Sequence, residues 1–120
     1  MILYCIVSEE AVKASSGNRG KMMAQGGHAY VDAMLDSMAR FPEAVRAYLE
    51  SGVVKKVCLR AASPKELHAL AQSYKKVCGV KLVKDAGLTV FKEPTVTCLG
   101  LGPIHPDQIK NDLKDLKVFI

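Results

Sequence analysis

The order of its segments constrains this chain more than any other feature. Strand-like and helix-like stretches follow one another as strand, helix, helix, strand, helix, strand, strand, helix. Such alternation predicts an α/β layer fold with helices covering both faces of a central sheet. Strands joined through helices are expected to be parallel, so the sheet is read as mixed but mostly parallel, with about four strands. The short link from Val83 to Thr95 permits an antiparallel pair. A length of 120 residues fits one domain, residues 1–120.

Local signals support each segment. Ile2–Val7 is a continuous apolar run, as in a buried strand. Ser8–Gly20 reads as a polar loop and Lys21–Ala39 as a helix. Pro42 suits the first turn of a second helix, running to about Glu50. Val53–Ala61 reads as a strand. Ser63-Pro64-Lys65-Glu66 is a capping box that starts a helix to Cys78, with Gly79 as its C-terminal cap. Val80–Val83 and Thr95–Leu101 read as strands, the second ended by Gly102-Pro103. Pro106–Leu116 reads as a last helix and Val118–Ile120 as a short edge strand.

Composition excludes several classes. With 49% hydrophobic and 24% charged residues, a folded core is expected rather than disorder. No apolar run reaches the ~18–20 residues that span a bilayer, so no membrane partner is expected. The first apolar run has no basic flank before it and no small-residue cleavage site after it, which reads against a signal peptide. Cys5, Cys58, Cys78 and Cys98 form no Cys-x-x-Cys pair and have no His at zinc-finger spacing. They are read as reduced thiols in a cytosolic core, with no metal.

Charge is concentrated. Residues 52–92 hold nine Lys or Arg against Glu66 and Asp85, a local +7, while the rest of the chain carries −2. A polyanion such as RNA is the natural partner for that excess, although many small proteins are basic for solubility alone.

Two stretches carry candidate chemistry. On a helical projection of Lys21–Met38, Lys21, Gln25, His28, Asp32 and Asp36 form one narrow stripe. Met22, Met23, Gly26, Tyr30, Ala33, Met34 and Met38 fall opposite, and this methionine-rich side is read as the one facing the sheet. The stripe is either a solvated face or a ridge of donors starting at a helix N-terminus, which suits phosphate or an oxyanion. Gly26-Gly27 inside a helix costs ~1 kcal/mol per residue relative to Ala, so a strand or a ligand backbone is expected to approach there. The second stretch, Asp85-Ala86-Gly87-Leu88-Thr89, directly follows a strand, where ligands bind in α/β folds. Read alone, it is equally an Asx turn, with Thr89, Thr95 and Thr97 chosen for β propensity. Gly100 and Gly102 mark a bulge or a close approach.

Taken together, these segments resemble the type-two peptidyl-tRNA hydrolases, the class typical of archaea and eukaryotes. The resemblance lies in Gly20-Lys21-Met22-Met23-Ala24-Gln25-Gly26-Gly27-His28-Ala29, in Lys56-Val57-Cys58-Leu59-Arg60-Ala61, and in Asp85-Ala86-Gly87-Leu88-Thr89 followed by Thr95-Val96-Thr97 and Gly100-Leu101-Gly102-Pro103. Leu113-Lys114-Asp115-Leu116-Lys117 is similar to the family's closing segment, so nearly the whole chain is covered. There are departures. Leu88 stands where the family usually has Arg, Val90 where it has Gln, and Pro94-Thr95 where it has Gly-Thr or Gly-Ser; Gly26 replaces a frequent Cys.

The resemblance implies hydrolysis of the ester between a peptide and the 3′ ribose of tRNA, in the cytoplasm and without metal or organic cofactor. Peptidyl-tRNA is the implied partner, and a homodimer is left open. It implies Lys21, His28 and Asp85 as catalytic residues and Gln25, Thr89, Thr95 and Thr97 around the ester and ribose. Lys56 and Arg60 are implied on the tRNA backbone. A non-catalytic RNA-binding module on the same fold is the alternative.

Overall fold

The computed structural model describes residues 1–120. Its strands are β1 (Ile2–Ser8), β2 (Lys56–Ala61), β3 (Val80–Asp85), β4 (Thr95–Ile104) and β5 (Lys117–Val118). Its helices are α1 (Glu9–Ala14), α2 (Arg19–Arg40), α3 (Pro42–Glu50), α4 (Pro64–Tyr74) and α5 (Asn111–Lys114), with a 3-10 turn at Pro106–Gln108.

The strands form one mixed sheet in the order β3-β4-β1-β2-β5. β1, β2 and β3 point the same way, as strands linked through helices should. The expectation of a mostly parallel sheet is nevertheless corrected. β4 inserts between β1 and β3 in the opposite sense, so only the β1–β2 ladder is parallel and the other three are antiparallel. The cause is the link at residues 86–94, which is too short for a crossover and returns the chain beside β3. β4 takes a central place because it is buried along most of its length.

Helices cover both faces. On one, α4 and α5 pack Leu67, Leu70, Tyr74 and Leu113 against Tyr4, Ile6, Leu59, Leu99 and Leu101. On the other lie α1, α2 and α3, over Leu3, Cys5, Val7, Val83 and Cys98.

Several boundaries differ from the sequence reading. The stretch taken as a loop contains α1, where the Ser8 hydroxyl accepts from the Ala11 N–H (3.3 Å) and Glu9 and Glu10 fill the first turn. α4 ends at Tyr74, and Gly79 is not its cap. Gly79 is required instead by close packing: a Cβ there would overlap Ser37 of α2, whose Oγ accepts from the Gly79 N–H (3.0 Å). The capping box does not form: the Glu66 carboxylate accepts from the Ala62 N–H (2.8 Å), one residue before the cap, and the Ser63 side chain caps nothing. β4 runs on through Gly102-Pro103 to Ile104. The expected last helix splits into the 3-10 turn and α5.

The seating of α2 positions everything functional. Of the methionine-rich side only Met22 and Ala33 are buried; they face the sheet together with Gln25, Ala29 and Ser37. Met23 is 80% exposed and Met38 54%. Small side chains explain this. Ala29 and Ala33 lie directly on Gly100 of β4, where a Cβ would overlap the Ala29 carbonyl oxygen. Close contact along this small-residue line outweighs burial of the larger methionines. The C-terminal end of α2 is pinned as well. Arg40 pairs with Asp36 (2.6 Å) and donates to the carbonyls of Lys75 (2.6 Å) and Cys78 (3.1 Å), and Asp36 accepts from the Val80 N–H (2.9 Å).

Candidate active site

This seating turns the polar stripe of α2 towards β3, with Gln25 buried, Lys21, Asp32 and Asp36 half-buried and His28 still exposed. Lys21 and Gln25 then meet Asp85, the last residue of β3. Lys21 Nζ lies 2.6 Å from Asp85 Oδ2 and donates to Thr89 Oγ1 at 3.3 Å. Gln25, only 4% exposed, donates through Nε2 to Asp85 Oδ2 (3.3 Å) and accepts at Oε1 from the Thr97 hydroxyl (2.6 Å). The Thr97 bond orients the Gln25 amide, leaving its NH₂ for the carboxylate.

Each residue has a local reason for its place. Thr97 is the extra residue of a bulge in β4: Cys98 lies opposite Val83 and Val96 opposite Lys84, so Thr97 has no partner in the ladder. A bulge re-aims a side chain, and here it brings the hydroxyl under α2. Asp85 Oδ1 accepts from the Gly87 N–H at 2.8 Å, an Asx turn. Gly87 has φ +80°, and a Cβ there would overlap the backbone of Glu93, so glycine is needed. The turn and the ion pair use different oxygens of one carboxylate, so the structural and functional readings of Asp85 hold together. Phe91, 2% exposed, anchors the 86–94 loop in the core. At the start of α2, Asn18 Oδ1 accepts from the Lys21 N–H (2.9 Å).

The electrostatics follow. The Lys21 ammonium, and next the Gly87 N–H, hold the Asp85 carboxyl below its ordinary pKa, while partial burial opposes them. Asp85 is therefore an ionised acceptor at neutral pH. Beside it opens a cavity of about 370 Å³, whose walls include Gln25, His28, Asp32, Lys81, Lys84 and Asp85. No group of three His, Cys, Asp or Glu side chains is arranged to hold a metal ion.

Lys21, Gln25, His28, Asp85, Thr89 and Thr97 thus come together. Three other candidates do not join them. Thr95 lies opposite Asp85 in the ladder, but its hydroxyl donates to the Glu93 carbonyl (2.8 Å). Lys56 sits at the start of β2, the far end of the sheet from Asp85. It donates to the Tyr48 hydroxyl and the Val54 carbonyl, both at 3.1 Å. Arg60 pairs with Glu9 (3.7 Å) on the β2 side of the sheet. The individual places of Lys81 and Lys84 in the cavity wall went unread in the sequence, where they counted only towards the basic middle third. The signal available in the sequence is their place among the apolar residues Val80, Leu82 and Val83 directly before Asp85. The departures Leu88 (86% exposed) and Pro94 lie on the outer surface of the loop.

Comparison with known proteins identifies the family. The family model described as peptidyl-tRNA hydrolase PTH2 matches residues 2–119. A peptidyl-tRNA hydrolase of Methanocaldococcus jannaschii is 37% identical over 104 residues, covering 84% of this chain and 88% of the relative. One from Methanopyrus kandleri is 38% identical over 105 residues, covering 85% and 87%. One from Methanococcus vannielii is 35% identical over 103 residues, covering 84% and 87%. The match is continuous from β1 to β5 and takes in both segments that supply the Lys21–Asp85 pair, so the chain belongs to the peptidyl-tRNA hydrolase PTH2 family.

Proposed function

We propose that this protein hydrolyses the ester joining a peptide to the 3′ ribose of tRNA, returning free tRNA to translation. The observation that carries this reading is the 2.6 Å contact of Lys21 with Asp85, which joins two of the motif segments beside an open polar cavity.

Asp85 accepts a hydrogen from water and orients its attack on the ester carbonyl carbon. A carboxylate with a lowered pKa is a weak base, so orientation is a larger part of its role than complete proton removal. Lys21, with the first N–H groups of α2, faces the oxyanion that develops on the carbonyl oxygen. The carbon–oxygen bond to the ribose breaks, and the proton lost by water ends on the 3′ oxygen. His28, on the cavity wall, exchanges protons along that route. Gln25 and Thr97 hold the carboxylate in place, and Thr89, hydrogen-bonded to Lys21, contacts the ester and ribose. Lys81 and Lys84 attract the phosphates of the tRNA end, while Lys56 and Arg60 serve more distant parts of the tRNA body. No helix is long and apolar enough to cross a membrane. A cytoplasmic location follows from a substrate made on ribosomes, and a homodimer is an assembly compatible with this reading.

Purified protein is expected to release the acyl group from N-acetyl-aminoacyl-tRNA in EDTA and to leave free aminoacyl-tRNA intact. Tight tRNA binding without release would favour the binding-module reading. Turnover lost to chelation and restored by zinc would overturn the mechanism.

A further inference from the structure

A second cleft, of about 670 Å³, lies on the opposite flank of the N-terminal half of α2. Met22, Met23, Gly26, Gly27 and Tyr30 form its helix side, and Val7, Cys58 and Phe119 line it from the sheet. Its one charged lining residue is Arg19. The two helical glycines have no explanation within the chain. A Cβ at Gly27 would meet nothing within 4 Å, and one at Gly26 would meet only Cys5 Sγ at 3.9 Å, an ordinary contact. Gly79 and Gly100, by contrast, are forced by neighbouring atoms. Glycine inside a helix is less favourable than alanine and nothing in the fold forces it here, so the pair leaves bare backbone open at the cleft.

The two clefts flank one short stretch of helix and differ in chemistry. Gln25 lines the polar cavity and Lys21 pairs with Asp85 on its wall, while their chain neighbours Met22 and Gly26 line the apolar cleft. An ester cleaved at this ridge has a polyanionic arm and a peptide arm. Lys81 and Lys84, on the wall of the polar cavity, suit the phosphates. The apolar cleft suits the peptide, and flexible methionines adapt to side chains of varied shape. We propose that the cleft over Gly26 and Gly27 is the acyl subsite, holding apolar side chains of the peptide upstream of the ester. This assignment rests on the hydrolase reading.

The test uses two substrates on one tRNA with the same esterified glycine: N-acetyl-leucyl-leucyl-glycyl-tRNA and N-acetyl-glycyl-glycyl-glycyl-tRNA. Wild type is expected to prefer the leucyl substrate by about tenfold or more in kcat/KM, in keeping with burial of apolar side chains. Gly27→Leu, which fills the cleft, should bring that preference close to unity. Met23→Glu changes an exposed side chain, which leaves folding intact, and should lower the preference in the same direction. Equal wild-type rates, or a preference untouched by both variants, would overturn the subsite while leaving the hydrolase reading in place. An unchanged preference with an altered mass by light scattering would give the cleft to a second copy of the chain. Failure of wild type to cleave either substrate would remove the hydrolase reading and the subsite with it.

Discussion

The two faces of the sheet are built from different materials. The α4 face is filled by bulky apolar side chains such as Ile6, Leu59, Leu67, Leu99 and Leu101, all buried. The α2 face is drawn together by Ala29, Ala33, Ser37, Gly79 and Gly100, and it holds the buried polar residues Gln25, Asp85 and Thr97. Bulk fills the space on the α4 face, and the Tyr74 hydroxyl there is tied to Asp112 and to the Lys110 N–H. Small residues bring a helix close at one end and leave space at the other, where hydrogen-bonded side chains can be seated. That polar group costs little because no buried side-chain nitrogen or oxygen lacks a partner. Stability and chemistry are thereby separated across one sheet.

Three measurements would break or sharpen this contrast. The largest effect is expected at the polar face. Asp85→Asn keeps the size of the side chain and its Asx turn but loses the charge opposite Lys21. Turnover should fall by ~10²–10⁴, far more than the small loss of stability from removing the ion pair explains. Wild-type rates in a folded variant would remove Asp85 from the mechanism. Next comes the apolar face. Leu67→Ala should cost about 2–5 kcal/mol in denaturant unfolding while the folded fraction keeps its kcat. A loss of kcat larger than the unfolded fraction explains would mean that the two faces are coupled.

The smallest effect is a pH dependence of stability. The folded state holds the Asp85 pKa below its unfolded value, so the pair stabilises the protein above that unfolded value, ~3.9. The contribution is lost as pH falls through the lowered folded pKa. The gap in urea midpoint between wild type and Asp85→Asn should therefore be level above about pH 5 and shrink in acid. A gap that widened on acidification would contradict the lowered pKa. Asp36, lowered mainly by its hydrogen bonds from Arg40, titrates in the same direction in both proteins and cancels in the comparison.

Local patterns in the sequence determined much of this protein. The apolar run of β1, the proline start of α3, the Asp-Ala-Gly turn after β3 and the basic middle third are each short-range or compositional features, and each was legible without coordinates. The motif segments also named the residues of the Lys21–Asp85 cluster. Helix α1 was missed although Ser8-Glu9-Glu10 is a local start signal, because the surrounding Ser and Gly residues resemble a loop. Tertiary structure alone decided the rest. Projection of α2 gives its polar and apolar directions but not how close each side comes to the sheet. That distance is set by Gly100, on a strand remote in sequence, and it left Met23 in solvent and turned Gln25 inward. The insertion of β4 between β1 and β3, the aim of Thr97 from its bulge and the separation of Lys56 from Asp85 likewise depend on which strands pair and in what register. Periodicity within one segment carries no information about its partner, and only contact between segments distant in the chain supplies it.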